Sequence, residues 1–138
     1  MNISHSTEEE KEYVLNALVN YNATQVPFTQ SGVFEYINFV AKNEQGEIIG
    51  GINSMLYCWG ILFIDILWVH QEHRSKGIGS KLIDKVICSA KEKDCSLVHL
   101  DTFDFQAKDF YLSQGFDVFG ILEDCPPGHN RFYMKKKI

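Results

Sequence analysis

The sequence predicts a mixed α/β fold, one mostly antiparallel sheet with helices on both faces, and three observations predict it. Residues 61–69 are apolar except for Asp65 and rich in branched and aromatic types, which suits a central strand covered on both faces. Further on, Ile78, Leu82, Ile83, Val86, Ile87 and Ala90 fall on one stripe, with Lys81, Asp84, Lys85, Lys91 and Glu92 on the other side, as in a helix lying on a sheet. The remaining segments read, in order, as α, then β-β-β, then α-β-α-β-β, a layered mixture in which helices must cover a sheet.

Each element has its own signal. Ser6-Thr7 followed by Glu8, Glu9 and Glu10 opens a helix, a hydroxyl cap followed by acids at the positive end. Tyr13, Val14, Ala17, Leu18 and Tyr21 give that helix a core face, and it ends near Tyr21-Asn22. After a loop with Pro27 and Gly32, residues 34–42 read as a strand, 43–46 as a turn and 47–57 as the antiparallel partner. Gly60 turns the chain into the central strand. Beyond the long helix, 96–103 is a strand, 106–113 a short helix stopped at Gly115, and 116–122 a strand. Pro126-Pro127-Gly128-His129 makes a turn before a last strand over 131–136, and Lys135-Lys136-Lys137 reads as a solvated tail. With 138 residues and no repeat or linker, the chain is expected to form one domain, 1–138.

Between the central strand and the long helix stands Arg74-Ser75-Lys76-Gly77-Ile78-Gly79. Glycines there allow a tight turn and close approach to the main chain, and the free N–H groups of a helix N-terminus attract anions. A P-loop would need Gly-Lys-Ser/Thr, whereas Gly79 is followed by Ser80-Lys81. A dinucleotide fingerprint would need a third glycine where Leu82 stands. What remains is R-x-x-G-x-G, read either as an anion site or as a plain strand–turn–helix corner.

A second segment decides between them. Asp104-Phe105-Gln106-Ala107-Lys108-Asp109-Phe110-Tyr111-Leu112-Ser113-Gln114-Gly115-Phe116 resembles N-x-x-A-x-x-F-Y-x-x-x-G-F, with Asp104 in place of the usual Asn. Together, in this order and one helix plus one strand apart, the two motifs resemble those of the GNAT family of N-acetyltransferases. The resemblance implies a sheet splayed open at its centre, with the diphosphate of acetyl-CoA held in the glycine turn and the pantetheine arm in the opening.

Roles follow residue by residue from that resemblance. Leu67, Trp68 and Val69 would meet pantetheine and the thioester carbonyl through main-chain groups, and Arg74, Ser75, Lys76, Gly77, Ile78, Gly79 and Ser80 would hold the pyrophosphate. Asp104, Gln106 and Ala107 would border the arm, with Asp104 lacking the amide donor of Asn. Tyr111 would protonate the departing thiolate, a phenol with a pKa of about 10 being protonated at neutral pH. Asp65, read as a buried carboxylate with a raised pKa, would take the amine proton directly or through water. Tyr21, Phe28, His129 and Arg131 would shape the acceptor side. Direct attack needs no covalent enzyme intermediate, and no metal is implied: His70 and His73 have no third ligand nearby.

Composition bounds the partners. A net charge of -5 disfavours nucleic acid, no apolar run is long enough to span a membrane, and the polar, acidic start is unlike a signal peptide. Cys58, Cys88, Cys95 and Cys125 lack metal-ligand spacing and read as buried free thiols, so a reducing, cytoplasmic setting is expected. The function expected is acetyl transfer from acetyl-CoA to a small amine or to an amino group of a peptide or protein. The alternative is a non-catalytic acyl-CoA-binding regulatory module on the same fold, against which Tyr111 and Asp65 count. Homodimers are common in the family, and no residue specifies one here.

Overall fold

The computed structural model of the chain describes residues 1–138. Its elements in order are α1 (Glu8–Gln25), β1 (Phe34–Tyr36), β2 (Phe39–Lys42), β3 (Ile48–Tyr57), β4 (Ile61–Val69), α2 (Ile78–Lys91), β5 (Leu97–Phe103), α3 (Lys108–Ser113), β6 (Asp117–Leu122) and β7 (Arg131–Lys137). The seven strands form one sheet in the order β1-β3-β4-β5-β7-β6, with β2 also on β3. Every pairing is antiparallel except β4 with β5, so the sheet is mixed and mostly antiparallel as the sequence predicts.

Residues paired across a ladder share a face. On one face Ile52, Leu56, Leu62, Ile64, Val98, Leu100, Phe132 and Met134 are buried. They pack into one core with Leu82, Ile83, Val86, Ile87 and Ala90 of α2, the predicted stripe, and with Tyr111 of α3. Burying a side chain of this kind stabilises the fold by roughly 1.5–3 kcal/mol, so this face is the core. The opposite face is different. Its rows run Tyr36–Met55–Phe63–His99–Lys135 and Phe34–Tyr57–Ile61–Leu97–Lys137, and none of these residues is buried. Tyr57 Oη and His99 Nε2 are bonded there at 2.8 Å, and burial of the ring holds the His99 pKa below the ordinary histidine range.

Several expectations are corrected. Thr7 caps α1 with a reciprocal Thr7–Glu10 box, but the helix runs on to Gln25 and buries no residue. Tyr13, Val14, Ala17, Leu18 and Tyr21 are all exposed, so the stripe read as a core face is not one in this chain. The chain that follows the helix is fixed, since residues 26–30 are tied to the β3–β4 turn. Trp59 Nε1 donates to the Val26 carbonyl, Thr29 N–H to that of Cys58, and the Gln30 amide bonds Leu56 and Gly60. The segment 34–42 is two strands, because the Asn38 side chain takes the Ser54 N–H that a continuous ladder would use. Lys135, Lys136 and Lys137 belong to β7 rather than to a tail, with Lys136 Nζ donating to the Gln114 carbonyl at 2.8 Å. All four cysteines are free, but Cys88 is exposed on α2.

Candidate active site

The site begins with an irregularity in β4. Asn53 of β3 faces Ile66 and Ser54 faces Ile64, so Asp65 is an extra residue, a bulge. The parallel ladder to β5 ends at the same level, with Ile64 opposite Leu100. Beyond it β4 and β5 diverge and leave a cleft of about 720 Å³. One wall is Asp65, Ile66, Leu67, Trp68 and Val69; the other includes Asp101, Thr102, Gln106, Ala107 and Tyr111.

The bulge also corrects the reading of β4. Leu62 and Ile64 are buried, but Ile66 and Trp68 are 50% and 45% exposed, so only the first half of the strand is a covered central strand. Asp65 is exposed to the cleft, not buried. Its carboxylate makes no hydrogen bond within the chain, and it is free to meet a ligand or a water.

The glycine turn closes one end. Ser75 and Gly77 both have positive φ, 61° and 80°, which folds the main chain back before α2. Gly77 caps α2 with no side-chain hydrogen bond, so the first-turn N–H groups remain available. Arg74 Nε donates to the Val69 carbonyl, which sets the guanidinium at the cleft mouth. Gly79 is needed for another reason: a Cβ there would lie 3.1 Å from Phe110 Cζ. That contact, with Gln114 Nε2 donating to Ser80 Oγ, seats α3 on the first turn of α2 and brings the two motifs together.

Tyr111 is 6% exposed and packs edge-on to Phe110 and Phe116. Its hydroxyl has no hydrogen-bond partner in the chain and lies in the cleft wall. Burial, then the charge of Asp101, raises its pKa to about 12. The phenol is thus protonated at any ordinary pH. Gln106 Oε1 accepts from Phe103 N–H and Thr102 Oγ1, which leaves its NH2 as a donor beside the cleft.

Most predicted site residues meet at this cleft: Asp65, Leu67, Trp68, Val69, Arg74, Ser75, Gly77, Ile78, Gly79, Ser80, Gln106, Ala107 and Tyr111. Lys76 does not line it and is exposed. Asp104 does not either: Oδ1 meets His129 Nδ1 and Oδ2 accepts from Asn130 N–H, both at 2.8 Å. That N–H, and then His129, hold the Asp104 carboxyl below its usual range. It therefore ties the β5–α3 turn to the β6–β7 hairpin.

On the acceptor side, Phe28 packs edge-on to Trp59 at the opposite end of β4, and Tyr21 stands exposed on α1, so neither lines this chain's cleft. His129 and Arg131 stand behind the wall, His129 edge-on to Phe105 and Arg131 on Asp101 at 2.7 Å. The Asp101 carboxylate raises the Arg131 pKa. Asp101 lines the cleft and was not singled out from the sequence, because nothing in the pattern of 96–103 marks which end of the strand opens; Phe105 and His73, the latter weighed only as a metal ligand, line it too. No three His, Cys, Asp or Glu residues gather as a metal site would require, and no helix is long and apolar enough to cross a membrane.

Comparison with known proteins points to one family. Residues 35–118 match the family model described as acetyltransferase (GNAT) domain. The chain is 30% identical to blasticidin-S acetyltransferase of Streptomyces morookaense over 96% of this chain and 94% of that one. The crystal structure of an acetyltransferase from Bacillus cereus superposes with a TM-score of 0.91 at 37% identity, covering 100% of this chain and 98% of the other. An aminoglycoside 6'-N-acetyltransferase solved in complex with coenzyme A shares the fold at 14% identity, with a TM-score of 0.66 over 99% of this chain and 97% of the other.

Proposed function

The chain belongs to the GNAT acetyltransferases, and from that premise we propose that it moves an acetyl group from acetyl-CoA to the amino group of a small molecule. The observation that carries the reading is the buried Tyr111, whose unpartnered hydroxyl lies in the same cleft as the uncapped first turn of α2. Anion and acid are then at one site. The pyrophosphate of acetyl-CoA fits the turn 74–80, where N–H groups, the helix dipole and Arg74 favour negative charge. The pantetheine arm fits between β4 and β5, with main-chain groups of 67–69 and the Gln106 amide as its hydrogen-bonding partners.

In the reaction the amine nitrogen attacks the thioester carbonyl, the N–C bond forms and the C–S bond breaks. The sulfur leaves with its electron pair and takes the proton of the Tyr111 hydroxyl, while the amine proton passes to water beside Asp65. The exposure of Asp65 suits such a relay, since a carboxylate in contact with solvent holds a water readily. Tyr111 regains a proton from solvent after the thiol departs.

A small amine is favoured because the relative spanning nearly the whole chain at 30% identity is named for blasticidin S. The test is thiol release from acetyl-CoA in the presence of blasticidin S and a panel of amines and peptides. Amine-dependent release by the parent, lost in Tyr111→Phe, supports the proposal. Release independent of any amine, or undiminished in Tyr111→Phe, contradicts it.

A further inference from the structure

Two groups in the cleft wall have no part in the acetyl transfer itself: the second oxygen of Asp101 and the ring of Phe105. Asp101 follows Leu100 on β5 as Asp65 follows Ile64 on β4, so the two carboxylates flank the point where the strands part. Arg131 holds Asp101 from behind, with Nε at 2.9 Å and Nη2 at 2.7 Å, and both nitrogens go to the same oxygen, Oδ1. Oδ2 makes no hydrogen bond within the chain, although the side chain is only 20% exposed. A charged oxygen so placed calls for a partner from outside. Beside it the aromatic rings form a column. The Arg131 guanidinium carbon lies 5.3 Å from the Phe103 ring centre and 5.5 Å from that of Tyr133. Phe105 stacks on Phe103, with 5.2 Å between centres and 2° between planes, yet is 59% exposed and lines the cleft.

We infer that the acceptor carries, besides its reacting amine, a planar cation of guanidinium type, held by Asp101 Oδ2 and the ring of Phe105. The inference rests on the acetyl transfer proposed for this cleft and names the class of its acceptor. The chain itself shows how this corner takes such a group. Oδ1 and the Phe103 ring hold the guanidinium of Arg131; the free oxygen and the next ring of the column offer the same pair of contacts on the cleft side. A guanidinium is weakly hydrated, stacks on aromatic faces and bonds carboxylates along its edge, whereas an ammonium keeps its water more firmly. Charge allows it, because Asp65 and Asp101 together outweigh Arg131 on this side of the cleft. Of the other basic groups nearby, His129 is paired with Asp104, while His73 and Arg74 stand with the glycine turn, where the phosphates of acetyl-CoA would meet them. The carboxylates are not the only sign of a polar ligand here. The hydroxyl of Tyr111, on a side chain 6% exposed, also lacks a partner and lies in the same wall.

The test compares three amines of one chain length: agmatine, which ends in a guanidinium, putrescine, which ends in an ammonium, and pentylamine, which ends in a methyl group. Each is titrated by calorimetry into the chain in the presence of millimolar coenzyme A, which carries no acetyl group, so binding is read apart from turnover. The parent is expected to bind agmatine about tenfold or more tightly than pentylamine, as one charge-assisted hydrogen bond allows, and more tightly than putrescine. Asp101→Asn, which keeps an oxygen for Arg131, and Phe105→Ala are each expected to reduce the preference over pentylamine to about threefold or less, with coenzyme A affinity unchanged. A merely structural role would weaken all three ligands alike and leave the preference standing. Equal binding of agmatine and pentylamine, no binding of either, a preference for putrescine, or a preference that survives Asp101→Asn would each overturn the inference. Agmatine bound as expected, with no thiol release from acetyl-CoA for any amine, would support this site and overturn the acetyl transfer alone.

Discussion

Ile64 and Leu100 are the last residues that β4 and β5 pair, and Asp65, the next on β4, has no partner on β3. The cleft exists because one extra residue sits at that point. Removing it lets the two strands continue side by side into the space that a ligand would fill. Deletion of Asp65 is therefore expected to weaken acetyl-CoA binding at least tenfold in a protein that still folds. Asp65→Asn, which keeps the bulge, is expected to bind normally and turn over more slowly. Calorimetric titration and steady-state rates check the pair; unaltered binding after the deletion would detach the cleft from the bulge.

Tyr111→Phe keeps the ring that fills the core and removes only the hydroxyl. Positioned general acids typically contribute 10²–10⁴-fold, so kcat is expected to fall about 100-fold or more while the dissociation constant for acetyl-CoA is unchanged. A comparable loss in both would make Tyr111 a binding residue instead.

The same tyrosine carries a pH signature. Its folded pKa of about 12 exceeds the ordinary value of 10.0, so the folded state retains a proton that the unfolded chain releases between those values. Its contribution is complete below pH 10 and is lost as pH rises through 12, which amounts to about 3 kcal/mol. Denaturant titrations from pH 9 to 12 are expected to show the parent losing more stability than Tyr111→Phe, by an amount of that order. Parallel curves would place the hydroxyl in solvent.

Asp104 is expected to behave as a structural residue. Its lowered pKa means that its stabilising contacts are present above the unfolded carboxylate range and lost as pH falls through the folded value. Asp104→Ala is expected to lower the melting temperature at neutral pH and to flatten its acid dependence, with acetyl-CoA affinity unchanged. A large loss of affinity with unchanged stability would return Asp104 to the cofactor.

How much of this was legible in the sequence differs from residue to residue. The stripe Leu82–Ile83–Val86–Ile87–Ala90 and the turn glycine at 77 were readable because each satisfies a local requirement, a helical period in one case and a positive φ in the other, whereas Gly79, read as room for a ligand, faces Phe110 far along the chain. The bulge at Asp65 was not, since a strand apolar on both sides carries no alternation from which register could be read. Asp104 stood at a motif position, yet its oxygens are taken by a hairpin 25 residues away in the chain, which no local pattern reveals. On α1, periodicity marked Tyr13, Val14, Ala17, Leu18 and Tyr21 as a core face, yet all five are exposed, because a period gives the side of a helix and not what lies against it.

Calorimetric titration of the parent and of a Gly77→Glu, Gly79→Glu variant tests whether the turn 74–80 holds the pyrophosphate of acetyl-CoA. The new carboxylates put negative charge among the N–H groups of the first turn of α2, and Glu at 77 must also adopt a φ of 80°, at a cost of roughly 1–2 kcal/mol. The parent is expected to bind, and the variant, first shown to be folded, is expected to lose binding. Equal binding by both, or no binding by the parent at millimolar acetyl-CoA, would mean that the turn 74–80 does not hold the pyrophosphate.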